Sequence, residues 1–311
     1  MAKYIIRRLL LMIPIMLGVS FIVYSIMACT PNFDNPGRIM LGIEATEEAV
    51  AEFNAMFGAD KPFFERYFCY IADLLQGDLG TSYRTKMGVA EEIMRRFPVT
   101  LALTTISMAI SLFIGVPIGI LSAVRQYKPS DYVIRTVSML LTAIPSFCLG
   151  LGLLLVFALQ LRLLPSNGID SWKSFILPGL SLGLVSIGGM IRMTRSTMLE
   201  VIRQDYVRTA RAKGQTEGKI IWRHELRNAL IPVVTVAGST FARELGGAVI
   251  IENVFAVPGL GSYILSAVNN RDLPCVLSAV IMLSLTSSLI NLLVDIVYTF
   301  IDPRIKSQYA R

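Results

Sequence analysis

His224 is the only histidine among 311 residues, and this removes most hydrolytic chemistry from consideration. It lies in "RHELRN", where Asn228 stands at the position that a second zinc-binding histidine takes in an HExxH helix. Neither a histidine-based catalytic pair nor a multi-histidine metal site can be built. "GQTEGKI" resembles a phosphate-binding loop. However, only three residues separate its glycines, and Ile220 follows the lysine where a magnesium-binding hydroxyl is needed. Cys29, Cys69, Cys148 and Cys275 show no CxxC spacing, so neither a disulfide framework nor a zinc site is implied. The remaining chemistry-bearing groups are charges in unusual places. One set is the run Arg208, Thr209, Ala210, Arg211, Lys213, Gly214, Glu217 and Lys219. The other is Arg243, Glu244 and Asp295, each embedded in an apolar stretch. An aspartyl intramembrane protease needs two aspartates, and Asp295 is the only one in such a stretch. Both sets suit recognition or passage better than bond-making.

The elements around these charges are apolar. Hydrophobic residues make up 54% of the chain and charged residues 16%, whereas soluble domains carry about a quarter charged; the mean hydropathy is +0.60. Long uncharged runs occur at 9–33, 97–124, 136–161, 174–191 and 273–294. A sixth, from Asn228 to Ile251, is interrupted only by Arg243 and Glu244. Runs of this length read as membrane spans, and lipid forces each to satisfy its own backbone as a helix. The expectation is an all-α polytopic protein with six transmembrane helices. It divides into a first helix with its lead-in (1–33), a loop (34–96) and a five-helix core (97–311) that carries a polar stretch, 192–228. "IMAC", ending at Cys29, faintly resembles a lipoprotein cleavage site, but the preceding apolar run is too long for a signal peptide, so an uncleaved first helix is expected. Gly115 with Gly119, and Gly179 with Gly183, have the spacing of close helix contacts. Pro117, Pro145 and Pro178 are expected to kink their helices.

Charge sets the orientation. Segments 1–8, 125–135, 192–227 and 302–311 hold 18 Lys and Arg, and the alternate segments 34–96, 162–173 and 252–272 hold 10 over more residues. The acidic residues show the reverse bias. By the positive-inside rule both termini and the 192–227 segment are cytoplasmic. The isoelectric point near 9.3 then reflects loops facing anionic lipid or a protein partner, and needs no nucleic acid. The 34–96 loop faces outward. Within it "FFERYFCYIADLL" has helical apolar spacing, with Phe64, Tyr67, Phe68, Ile71, Leu74 and Leu75 as its stripe, and "GDLGTSY" reads as a turn. It reads equally as a packed cap and as a docking surface.

The 192–228 stretch reads as helix, glycine turn, short helix, then membrane. Met198, Ile202 and Tyr206 fall four apart and predict one apolar stripe before Gly214. A polar projection of this kind is either solvated or inserted into a partner.

"DYVRTARAKG" followed by "RHELRNALIP" resembles the loop with an EAA-type pattern in the permease subunits of ATP-binding-cassette importers, in the dipeptide, oligopeptide and nickel branch. Arg208, Thr209 and Ala210 stand at the EAA positions, Gly214 matches the glycine, and Pro232 comes later than in the general pattern. "YIIRRLLLMIPIMLGVSFIVY", "GDLGTSY", "VFAVPGLG" and "VDIVYTFIDPRIK" carry the resemblance over nearly the whole chain. It implies a type I importer permease fold in the inner membrane of a bacterium, with the 192–228 stretch as a cytoplasmic coupling helix. The implied partners are a second permease subunit, two ATPases that bind ATP and magnesium, and an extracytoplasmic binding protein; this chain itself holds no cofactor and is not an enzyme. The implied cargo is a di- or oligopeptide, with glutathione-like peptides or nickel chelates as alternatives. An intramembrane enzyme and an ion-gradient transporter are the competing readings. The first lacks its catalytic groups; the second calls for several carboxylates in the spans and no docking loop.

Overall fold

The computed structural model describes residues 2–31 and 33–301, with side chains from 5–31 and 33–297. Segment 302–311 and the end of the "VDIVYTFIDPRIK" motif lie outside these. Among the described residues every regular element is a helix, and the only strand-like feature is a single bridge between Thr81 and Gly88. The order is α1 (Ala2–Ala28), α2 (Pro36–Leu41), α3 (Glu47–Met56), α4 (Phe63–Leu75), α5 (Val89–Val124), α6 (Pro129–Ala143) and α7 (Ser146–Leu153, extended by π-type turns over Leu154–Gln160). There follow α8 (Ile176–Ile202), α9 (Asp205–Ala212), α10 (Glu217–Lys219), α11 (Leu226–Val254), α12 (Leu260–Asn269) and α13 (Leu273–Ile301). Among the described residues five helices are each long and apolar enough to cross a membrane, and six crossings result if the bent pair α6 and α7 counts as one.

That pair carries the kink expected at Pro145 and makes it a full break in the third span. Instead of one helix over 136–161, the chain bends by 98° between Ala143 and Ser146. Pro145 cannot donate to the helix ladder and forces the preceding residue out of the helical region, and Ile144 is indeed extended (φ −86°, ψ 127°). Pro178 makes no kink. It sits in the first turn of α8, where its missing N–H costs nothing. α5 is likewise continuous through Pro117.

The chain forms two compact units. Of the described residues, the first comprises 2–5, 100–257 and 287–301. Here α5 and α8 pack through both glycine pairs. A Cβ at Gly115 would lie 2.9 Å from the Met190 Cβ, and one at Gly119 2.6 Å from the Thr194 Cβ. Reciprocally, Gly179 and Gly183 seat Ile106 and Ile110. α6 approaches α8 at Gly188, where a Cβ would meet the Ser138 carbonyl oxygen at 2.5 Å. Gly119→Val is therefore expected to lower the melting temperature of the solubilised complex, by strain of about 1–3 kcal/mol. Gly152→Ala, at a position with open space, leaves it unchanged.

The second unit comprises residues 6–99 and 258–286. α1 meets α4 through an aromatic cluster of Phe21, Tyr24, Phe63 and Tyr67, and the Tyr24 hydroxyl donates to the Phe63 carbonyl at 3.0 Å. Tyr67 faces this core, whereas Phe64, Phe68 and Leu75 are exposed, so only one edge of the expected α4 stripe is packed. "GDLGTSY" is a turn, with Gly77 and Gly80 at positive φ (85° and 73°). It is anchored by the buried Asp272, which accepts from Ser82 Oγ at 2.5 Å and from the Tyr83 N–H at 3.2 Å.

Candidate functional site: the 192–228 elbow

α8 does not run on to Gly214. It ends at Ile202, and the chain turns through Arg203 and Gln204 before α9 begins. The expected stripe is thereby broken: Met198 is buried in the α5–α8–α11 core, Ile202 is half-buried and Tyr206 is exposed. Val207 and Ala210, three apart on α9, are buried instead against Ile220 across the turn. These three residues form a small apolar core.

Gly214 closes α9. Its φ of 72° is left-handed, its N–H donates to the Arg211 carbonyl (3.0 Å), and the Gln215 N–H donates to the Ala210 carbonyl (3.3 Å). These are the two bonds of a Schellman cap, which favours glycine at that position. A Cβ there would meet no atom within 4 Å. Gly214→Ala thus carries only backbone strain, about 1–2 kcal/mol. It is expected to reduce uptake partially without loss of folded subunit, as measured by transport per assembled complex.

Across the turn Arg211 forms a bidentate pair with Glu217, Nε to Oε1 at 2.7 Å and Nη2 to Oε2 at 3.1 Å. The carboxylate raises the guanidinium pKa further, so Arg211 stays charged throughout. Two more bonds hold the second arm: His224 Nε2 with Gln215 Oε1 at 2.8 Å, and Asn228 Nδ2 to the Tyr206 hydroxyl at 2.9 Å. His224 therefore pins the elbow. Arg211 Nη2 also lies 3.8 Å from the buried Glu225. From Glu217 onward the helix is unbroken to Val254, although Ile220–Glu225 makes π-type turns, a distortion common at functional segments.

Of the other predicted residues, Arg208 is exposed beside Asp205 (3.9 Å), the Thr209 hydroxyl donates to the Asp205 carbonyl, and Lys213 and Lys219 are exposed. The elbow thus exposes Arg208, Lys213 and Lys219 and turns its apolar contacts inward, with the Arg211–Glu217 pair fastening the two arms at the surface. The sequence reading missed this pair, because six residues across a glycine turn match no helical period. The i, i+3 spacing of Val207 and Ala210 was the available signal for the core.

The charges within apolar helices separate. Arg243 is exposed on α11, its Nη2 2.9 Å from Thr240 Oγ1. Glu244 points the other way and is buried, hydrogen-bonded by Ser186 of α8. Asp295 is half-buried on α13, next to Val294, which packs onto Gly238 of α11. Asp131, which the sequence reading did not single out, is fully buried. It accepts from Ser122 Oγ (2.6 Å), the Tyr127 N–H (3.1 Å) and both arms of Arg195 (2.8 and 2.9 Å).

The described residues thus form a polytopic helical protein whose most polar segment is a pinned elbow between α8 and α11. Residues 115–307 match the family model of the binding-protein-dependent transport system inner membrane component, and residues 1–104 match the N-terminal model of the same systems. The chain is 39% identical to the dipeptide transport system permease protein DppB of Alkalihalophilus pseudofirmus, over 98% of this chain and all of that one. It is 40% identical to the glutathione transport system permease protein GsiC of Salmonella typhimurium, over 98% of this chain and 99% of that one. Among solved structures, the MetNI methionine ABC transporter in an inward-facing conformation matches with a TM-score of 0.58 and 20% identity, over 68% of this chain and 96% of that one, which shows a shared fold. The chain belongs to the binding-protein-dependent transport system inner membrane components. It is a multi-pass permease subunit of an ABC importer, and its role is passage.

Proposed function

We propose that this chain forms half of the translocation pathway for di- or oligopeptides, and that a second permease subunit supplies the other half. The observation that carries the coupling role is the pinned elbow: Arg208 and Lys213 are exposed on α9 and its cap, Lys219 is exposed on the helix that runs unbroken into α11, and side-chain bonds across the turn hold the two arms together. Two cytoplasmic ATPases bind ATP and magnesium, and their closure moves the elbow as a rigid body. Both termini are cytoplasmic. A cysteine introduced at Gln215 is accordingly expected to react with an impermeant thiol reagent only from the cytoplasmic side; labelling in intact cells would refute the orientation.

Cargo is proposed from the relatives' chemistry, with glutathione-like peptides as the second reading because relatives of both kinds are equally similar. Nickel chelates have less support. Thr235, Ser239 and Arg243 are exposed and four residues apart on α11, forming a polar stripe on an apolar helix. Charges in such helices face a cavity or a partner, so Arg243 and Asp295 are proposed to line the path, whereas Glu244 holds α8 to α11. Arg243→Gln is expected to change the ratio of dipeptide to glutathione uptake severalfold in an assembled complex; loss of assembly alone would assign Arg243 a structural role. The 34–96 segment is proposed as part of the landing surface for the binding protein. Copurification with ATPase subunits, followed by uptake of labelled dipeptide and labelled glutathione in proteoliposomes with the cognate binding protein, tests the whole reading. A purified chain that never associates with an ATPase would refute it.

A further inference from the structure

Arg66 on α4 is a buried cation without a counter-ion. It is 6% exposed, and no carboxylate among the described residues lies within ion-pairing distance of it. Its partners are neutral: Nη1 donates to the Phe33 carbonyl at 3.2 Å, Nη2 donates to the Tyr83 hydroxyl at 3.0 Å, and the guanidinium lies 4.5 Å above the Phe33 ring centre. A guanidinium has five N–H donors, so three remain. Burying an unpaired charge is costly, and such a group invites an anion.

Arg66 lines a cavity of about 410 Å³ within the second unit, a size typical of small-molecule sites. Tyr70 and Tyr83 also line it. Burial raises both phenols, Tyr70 to about 12, so they keep their protons; the Tyr70 hydroxyl is already bonded to Ser278 Oγ at 3.2 Å. The Tyr83 oxygen already accepts from Arg66, leaving its own O–H to point elsewhere. Asp73 and Asp78 also line the cavity. Both side chains are exposed, and Asp78 Oδ1 accepts from the Gly80 N–H at 2.8 Å. The buried Arg66 and the exposed Lys61, set against Asp73 and Asp78, give one cavity charges of both signs, which suit a ligand that carries both.

We propose that this cavity binds a small zwitterionic carboxylate, an amino acid or very short peptide, with its carboxylate on Arg66 and its ammonium group on Asp73. The site is not needed for the transport reading and stands independently of it.

Cys69, which lines the cavity with its Sγ 3.4 Å from Lys61 Nζ, is a built-in reporter. In the assembled permease–ATPase complex without binding protein, Cys29 and Cys148 are replaced by serine and the rate of maleimide addition to Cys69 is read by peptide mass spectrometry. Alanyl-alanine is expected to slow the reaction severalfold and saturably. Alanyl-alanine amide, which lacks the carboxylate, leaves it unchanged, and N-acetyl-alanyl-alanine protects only weakly. Arg66→Gln abolishes protection. Should that variant fail to assemble, Asp73→Asn keeps the test open, because it alters an exposed side chain and should erase the difference between the free and N-acetylated peptides. An unchanged rate with every probe would overturn the proposal, as would equal protection by the amide. Protection by the binding protein alone would also overturn it, by making the cavity a protein contact. No outcome depends on ATP hydrolysis or uptake, so the transport reading can fail or hold separately.

Discussion

Asp131→Ala is expected to destabilise the subunit by about 3–5 kcal/mol, enough to deplete the assembled complex. The fully buried carboxylate receives four hydrogen bonds, from the end of α5 (Ser122), the following turn (Tyr127) and twice from Arg195 on α8. Its removal leaves Arg195, itself mostly buried, as an uncompensated charge and frees Tyr127, which holds a positive φ of 64°. Breaking one side of a buried pair costs far more than replacing both with apolar groups. The double variant Asp131→Ala/Arg195→Met should therefore recover most of the assembled material, and Asp131→Asn should fall between. Thermal melting of the detergent-solubilised complex, followed by size-exclusion, checks the order. A double variant as poor as the single one would mean that the hydrogen bonds to Ser122 and Tyr127, and not the charge pair, hold this corner.

The membrane helices were legible because lipid leaves the backbone a single solution per apolar run. The glycine pairs were legible as packing, since a missing Cβ admits the partner helix, and Met190 and Thr194 fill those places. The break at Pro145 was legible as a proline kink, but its size was not, because hydropathy measures transfer from water and is blind to a 98° bend within an uncharged run. The stripe through Met198, Ile202 and Tyr206 was misread because period counting assumes a continuous helix, whereas the chain turns at Arg203 and Gln204. The elbow's position, its glycine and its basic character were readable from residue types. Its internal fastening was not, since Arg211–Glu217 and His224–Gln215 span a turn, and Asp131 and Arg195 are 64 positions apart.

Gly214→Asp is expected to abolish uptake while leaving the helices inserted and the permease pair assembled. The backbone demand is mild for this substitution: φ is 72°, aspartate tolerates the left-handed region better than most residues, and the added atoms enter open space. The apolar core of Val207, Ala210 and Ile220 and the Arg211–Glu217 pair are untouched. What changes is the face offered to a partner, where a negative charge now stands between the exposed Lys213 and the rest of a basic surface. Gly214→Asn separates the causes. It makes the same backbone demand without the charge, and should retain most of the uptake. If asparagine and aspartate fail alike, the turn's bulk tolerance, not its charge, governs docking.

The claim that the 192–228 elbow carries ATPase motion into the membrane helices is tested most directly by ATP hydrolysis in proteoliposomes stimulated by loaded binding protein. Wild-type, Gly214→Asn and Gly214→Asp complexes are compared, with uptake followed in the same vesicles. The account predicts that the aspartate variant hydrolyses ATP at the unstimulated rate, no longer responds to loaded binding protein and accumulates no cargo, while asparagine stays close to wild type. Normal stimulation together with normal uptake in the aspartate variant would contradict it and make the elbow a solvated loop.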